Sequence, residues 1–357
     1  MKVIKFYPNH RAKFHFGDSS GKLKEIFSSD QLFSALFNSA VLLYGSEKAE
    51  EFLVESLAKS SISSLFYGIN FFNENNGQSQ DLYFLPRPLA PIEKKEETKD
   101  LLSHKKAKKI KYLSVEAFKL LQQSWREEGE YFNYNLLNCA VLGSNFACTK
   151  EEIETLGLDQ AACENIKLFT TDAKPKVVVS RLNDRSDNFY YQEEREIRYQ
   201  QIDNFLVRPF MYFFWRGDIE QRLLAVIRLM ADEGLGGKRS QGMGTLGEVV
   251  IEEWTEKMFS GEGRYYMSIS SVYPGLNEVD KLVYYELTER SGYIYSQYGR
   301  PLRKKRVRLL KEGSIFSGQI SGALIDIRPA RFQQHKVYLS GKAFLIPVGG
   351  MNDEYGM

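Results

Sequence analysis

Residues 234–247 read Gly-Leu-Gly-Gly-Lys-Arg-Ser-Gln-Gly-Met-Gly-Thr-Leu-Gly. Glycines at this density let a backbone turn at positive φ and bring its N–H groups close to a ligand, and Lys238, Arg239 and Ser240 add two cations and a hydroxyl at the centre. The composition suits a polyanion; a mobile surface loop is the plain alternative, and the Lys-Arg-Ser centre favours phosphate. Gly236, Gly237, Lys238, Arg239, Ser240 and Gly242 are the candidate seat.

The flanks fix the order of elements. Upstream, Ile219, Leu223, Val226, Ile227 and Met230 recur at helical spacing, with Asp218 as the expected cap and Gly234 as the expected stop. Downstream, Leu246, Val249, Val250 and Ile251 read as a strand. Helix, loop, strand reverses the order of a dinucleotide fingerprint, so the G-x-G-x-x-G match at Gly242, Gly244 and Gly247 is accidental. Gly237-Lys238 is no Walker loop either, because Arg239 stands where a magnesium-binding Ser/Thr belongs and no helix begins there.

Further upstream, Phe205–Trp215 is a strongly apolar strand. Residues 176–201 carry two β-rich arms around a polar tip at 180–188, which predicts a long hairpin. Arg181 and Arg185 sit at that tip beside Phe189, Tyr190 and Tyr191, a pairing of cations and rings that single-stranded nucleic-acid readers use. A decorative hairpin is the competing reading. At the N-terminus Ile4, Phe6, Ala12, Phe14 and Phe16 share one parity and Lys5, Tyr7, Arg11, Lys13 and His15 the other, which predicts a half-buried strand with a basic face. Arg11, Lys13 and His15 are candidate RNA contacts on it. His15 or His10 is the candidate base should the chain cleave RNA, although a strand histidine is more often a polar surface residue or a phosphate contact.

A helix capped by Ser29 or Asp30 follows, with Leu32, Phe33, Leu36, Phe37, Ala40 and Val41 as its buried face and Gly45 as its stop. Strands are expected at 65–72 and 82–85, and helices at 115–125 and 151–165. Residues 93–111 are dense in charge, with lysines at 105, 106, 108, 109 and 111, and read as a solvated linker or, less favoured, an RNA backbone contact. Beyond Glu253 the pattern restarts with short alternating runs around Tyr265–Ile269, Val283–Leu287 and Tyr293–Tyr295, and the basic run Arg303–Arg308 serves either solvent or an RNA groove. Two domains are expected, 1–253 and 254–357, in keeping with a length of 357 residues.

A formal charge of +2 means that any affinity for nucleic acid has to come from local clustering of cations. The 21 Tyr and 24 Phe supply rings for cores or for stacking on bases. Three cysteines without C-x-x-C spacing support neither a disulfide framework nor a zinc ribbon, and the expectation is a soluble, cytoplasmic chain with no cofactor and no metal. No G-x-S-x-G elbow and no H-E-x-x-H motif is present.

The glycine loop behind its helix, Phe14–Gly17, the Ser29–Leu36 helix start, the Ser180–Ser186 tip and the closing Ser340–Pro347 stretch together resemble the RAMP superfamily of CRISPR proteins, and within it subunit 4 of the type III-A Csm interference complex. The resemblance implies an α+β chain of two ferredoxin-like, RRM-like domains with a protruding β-hairpin thumb and no catalytic site. It also implies a subunit that grips the 5′ repeat-derived tag of the CRISPR RNA, meets target RNA indirectly, caps a filament of backbone RAMP subunits and docks the large polymerase-like signalling subunit. Gly236 to Ser240 would then contact RNA, and Arg181 with Arg185 would belong to the thumb. A repeat-processing endoribonuclease and a pure protein-interaction module are the alternatives.

Overall fold

The computed structural model describes residues 1–17, 23–92, 105, 107–179, 186–294 and 302–349. It is a mixed α+β chain built on a ten-stranded sheet. The central strand, Phe205–Arg216, pairs antiparallel with Lys2–Tyr7 on one side and Phe66–Asn73 on the other, and Glu248–Glu253 closes the edge beyond Lys2–Tyr7. Ser79–Pro86 continues the sheet from Phe66–Asn73.

Alternation along the central strand explains why both faces are covered. Met211, Phe213 and Trp215 enter one core with Leu32, Phe33 and Leu36 of the helix Ser29–Tyr44 and with Leu223, Val226 and Ile227 of the helix Gln221–Glu233. Phe210, Tyr212 and Phe214 point the other way, into a core shared with Phe118 and Leu121 and with Phe259, Met267, Ile315, Phe344 and Ile346 from the C-terminal region. The sheet is therefore a filling between two layers.

This double burial corrects the half-buried N-terminal strand. Val3, Ile4, Lys5 and Phe6 are all buried, because Lys2–Tyr7 has a strand on either side and packing on both faces. Lys5 belongs to no basic face: its ammonium lies 3.1 Å from Asp81 and 2.6 Å from Glu252. Burial opposes its charge, but the two carboxylates outweigh that and raise its pKa. The strand also breaks at Tyr7, and after a turn in which Arg11 adopts φ 65° only Lys13–Phe14 resumes pairing.

Caps fall elsewhere than expected. Ser28 precedes the first helix, so Ser29 and Asp30 lie inside its first turn, and Glu220, not Asp218, precedes the helix before the loop, while the Asp218 carbonyl accepts from Trp215 Nε1. Gly45 and Gly234 end these helices, both near φ 80°. A second helix, Ser46–Ala58, follows the first directly. The single helix expected over 151–165 is two, Lys150–Leu156 and Gln160–Glu164, because Gly157 turns left-handed at φ 68° and Asp159 caps a new start. The helix at Val115 ends at Gln123, and Trp125 pairs instead with Phe132.

In the C-terminal region Tyr265–Ser268 pairs with Ile315–Phe316 and Leu345–Val348. Val283 and Leu287, read from the sequence as one alternating run, belong to different sheets: Leu282–Tyr284 joins Ile315–Phe316, and Leu287–Arg290 pairs with Val307–Leu310. Tyr293 makes one isolated bridge to Arg303. No helix among the described residues is long and apolar enough to cross a membrane.

The two regions meet through a repeated segment. Residues 61–68 read SISSLFYG and 268–275 read SISSVYPG. Ser64 donates its amide to the Ile269 carbonyl at 2.9 Å, and Ser64 and Ser271 both direct their hydroxyls at the Glu312 carboxylate. Ser29 joins them, donating its amide to Ser64 Oγ and accepting from the Ser271 amide, each at 2.9 Å.

Candidate nucleic-acid interface

The glycine loop is clamped at its neck. Leu235 and Leu246 are buried anchors, and Leu235 donates its amide to the Gly244 carbonyl at 2.9 Å. Between the anchors Gly236, Lys238, Gly242 and Gly244 all take positive φ. For Lys238 this costs about 1 kcal/mol relative to an ordinary backbone conformation. The side chains of Arg239 and Ser240 project from an exposed tip, with Lys238 half-buried beside them.

The loop leans on the short Lys13–Phe14 strand. Gly237 donates to the His15 carbonyl at 2.9 Å and Gly244 to the Lys13 carbonyl at 2.8 Å. Gly242 donates to the Arg239 carbonyl at 2.9 Å. The amides of Gly237 and Gly242, expected from the sequence to face a ligand, thus satisfy carbonyls of the protein itself, and these glycines shape the loop from within. A side chain at Gly236 would put its Cβ 2.7 Å from the His15 carbonyl oxygen, so close approach as well as φ excludes one there.

Arg11, Lys13 and His15 each meet the strand Ser186–Ile197 at a different residue. Arg11 is exposed at its turn, held by its amide to the Ile197 carbonyl at 3.0 Å. Lys13 lies 3.5 Å from the buried Glu194, which also meets Lys174 at 3.1 Å and Lys176 at 3.9 Å. His15 engages the Glu193 carbonyl through Nδ1 at 2.8 Å, and His10 Nδ1 accepts the Tyr199 amide at 3.0 Å. Each imidazole is braced by one ring nitrogen against the strand Ser186–Ile197 or the residues that follow it. Cys139, Cys148 and Cys163 are buried free thiols, and burial pushes each pKa up. No group of His, Cys, Asp and Glu able to hold a metal occurs among the described residues.

A hairpin is present where one was expected, but its bounds differ: its first arm, Phe169–Val179, begins before residue 176, and its second, Ser186–Ile197, begins inside the expected tip and ends short of 201; it pairs through Arg195 and Glu196 with Phe14 and Lys13. Arg181 and Arg185 lie outside the described residues. At the base, Arg195 is buried, stacked 4.5 Å over the Phe169 ring and donating to the Glu25 carbonyl at 2.7 Å. Further out, Val177, Val178, Val179, Phe189, Tyr190 and Tyr191 are exposed. Successive strand residues face opposite ways, so apolar side chains are exposed on both faces of these arms.

Beside the loop opens a cleft of about 320 Å³, walled by Gly236, Gly237 and Arg239, by Gln31, Ser34 and Asn38 of the first helix, and by Arg290 and Lys304 of the C-terminal region. Among the described residues its lining holds three cations, Arg239, Arg290 and Lys304, and one carboxylate, Asp30. Asp30 is neutralised by a two-point fork from Arg290, Nε to Oδ2 at 2.5 Å and Nη2 to Oδ1 at 2.9 Å. Sequence reasoning missed Arg290 and left Lys304 inside an undifferentiated basic run. In the charged 93–111 segment, exposed Lys105, Lys108 and Lys109 are described, and Lys111 pairs with Glu25.

Comparison with known proteins bears on what such a surface serves. Residues 261–348 match the CRISPR Csm4 C-terminal domain family. Along 100% of both chains the protein is 28% identical to the CRISPR system protein Csm4 of Methanocaldococcus jannaschii, and over 92% of this chain and 93% of the other it is 24% identical to Csm4 of Thermococcus onnurineus. The crystal structure of a Csm3–Csm4 subcomplex from the type III-A CRISPR-Cas interference complex contains a chain that superposes with a TM-score of 0.65 at 25% identity, covering 98% of this chain and 100% of that one. A Csm1–Csm4 cassette in complex with cA4 shares the fold, with a TM-score of 0.56 at 18% identity over 97% of each chain. The C-terminal region thus matches a Csm4 domain family, and the chain as a whole is similar over its full length to Csm4 subunits of type III CRISPR complexes.

Proposed function

We propose that the protein is a non-catalytic RNA-binding subunit of a type III-A CRISPR effector complex that holds the 5′ repeat-derived tag of the CRISPR RNA, with the glycine loop as the seat of the strand's phosphates. One observation carries the reading: a loop pinned by its own amides to the Lys13–Phe14 strand presents Arg239 and Ser240 at an exposed tip, with Lys238 next to them. A preorganised backbone bearing cations and a hydroxyl fixes a phosphodiester without reading its base. Arg11, Lys13 and His15 extend the same surface toward the hairpin, whose tip with Arg181 and Arg185 would serve as the thumb that interrupts the guide duplex and so meets target RNA. In this reading 1–253 and 254–357 are two ferredoxin-like domains.

The named relatives supply the partners. Csm4 of the superposed subcomplex is paired with Csm3, and that of the cassette with Csm1. By analogy this chain would cap a filament of backbone subunits and dock the large subunit, and the exposed Val177, Val178, Val179, Phe189, Tyr190 and Tyr191 of the hairpin suit a protein neighbour.

A salt titration of RNA affinity tests the seat. Lys238→Ala with Arg239→Ala removes two cations and should reduce the slope of log affinity against log salt by about 1.4, at roughly 0.7 per phosphate contact on single strands. Unchanged occupancy would leave a pure protein-interaction module. Discrete cleavage of repeat RNA that is lost in His15→Ala would establish the endoribonuclease instead.

A further inference from the structure

We propose that Lys304, from the C-terminal region, is the second jaw of the RNA seat and takes a phosphate on the wall of the cleft facing the glycine loop. The inference rests on the RNA reading of that loop and adds a residue from the other side of the chain.

Within the basic run the structure separates one lysine from its neighbours. Arg303, Lys305, Arg306 and Arg308 are exposed, whereas Lys304 is half-buried and lines the cleft with Gly236, Gly237 and Arg239. The backbone fixes this: Lys304 donates its amide to the Gly292 carbonyl at 2.8 Å and Lys305 to the Ile327 carbonyl at 2.9 Å. Alternation along an extended segment then turns residue 304 inward and 303 and 305 outward. Arg306 pairs with Glu289 at 3.2 Å.

Among the described residues Lys304 has no ion-pair partner. Asp30, the one carboxylate on the lining among those residues, is taken by Arg290. Burial lowers the Lys304 pKa, and only the nearby Asp30 opposes that, as expected for an ammonium drawn out of water without a close counter-charge. A phosphate entering the cleft supplies that charge, with the Arg239 guanidinium on the other wall. Gln31, Ser34 and Asn38 add polar side chains to the same lining. The cleft thereby joins a loop at 236–239 to a lysine some 65 positions later, so one strand of RNA would hold both regions together.

The test uses the full-length protein, a short fluorescein-labelled single-stranded RNA and the salt dependence of binding. Lys304→Gln should weaken binding several-fold at low salt and reduce the slope by about 0.7, and Lys304→Arg should restore the slope. Lys305→Gln is the control for a diffuse field. A Lys304→Gln slope equal to that of the wild type overturns the proposal, as does an equal loss in Lys305→Gln. Thermal midpoints matching the wild type show that the variants fold, and should Lys304→Gln not fold, the slope of Lys304→Arg decides alone: a wild-type slope supports the proposal and a reduced one overturns it. Failure of the loop reading itself is read separately, from a wild-type slope that Lys238→Ala with Arg239→Ala does not change.

Discussion

Gly237 donates its amide hydrogen to the carbonyl of His15 across 2.9 Å, which ties the glycine loop to the segment whose Lys13–Phe14 strand pairs with the hairpin. Gly237 is exposed, and a Cβ there would meet the His15 ring at 3.1 Å and the His15 carbonyl oxygen at 3.6 Å. Gly237→Glu should therefore fold, with a thermal midpoint close to the wild type, and yet lose RNA, because it sets a negative charge beside Lys238 and Arg239. Parallel loss of solubility and RNA occupancy would contradict this.

Two glycines of the loop should respond differently to alanine. Gly242 has φ 77° with nothing within 4 Å of an added Cβ, so Gly242→Ala should cost about 1 kcal/mol from backbone strain alone. Gly244 has φ 93° and its added Cβ would collide with the Leu235 carbonyl at the neck. Chemical denaturation should show Gly244→Ala at least twice as destabilising as Gly242→Ala.

The Asp30–Arg290 fork ties the first helix to the C-terminal region, with side chains only 4% and 11% exposed. Arg290→Ala leaves a buried carboxylate without its counter-charge and should cost about 3 kcal/mol. A cycle with Asp30→Asn should recover part of that loss, and strictly additive effects would contradict the coupling.

Much of this fold is legible in the sequence. The apolar period of 221–233 and the glycine that follows fix a helix, and the strongly apolar run from Phe205 to Trp215 fixes the central strand. Lys5 misleads because period alone does not reveal that a strand is covered on both faces. The Asp30–Arg290 pair joins residues 260 apart, and no local pattern announces it. The eight-residue repeat at 61–68 and 268–275 was readable, and its meaning required the contact between Ser64 and Ile269. For the loop, composition indicates glycine at positive φ, but which amides turn inward depends on the strand lying against it.

Acid should loosen the hairpin base. Burial raises the pKa of Glu194, but Lys174 and Lys13 outweigh burial and leave it lowered. A lowered folded-state pKa means that the stabilisation is complete above the ordinary glutamate value of about 4.3 and is lost as pH falls through the lower folded value. Glu194→Gln should flatten stability against pH in that acid window, measured by denaturant midpoints. An unchanged acid limb would contradict the assignment.

The most direct measurement is a structure of the assembled complex with its CRISPR RNA bound. The account predicts phosphate oxygens within hydrogen-bonding reach of the side chains of Arg239 and Ser240 at the tip of the loop. A loop at 236–242 facing bulk solvent, with the strand held elsewhere on the chain, would contradict it.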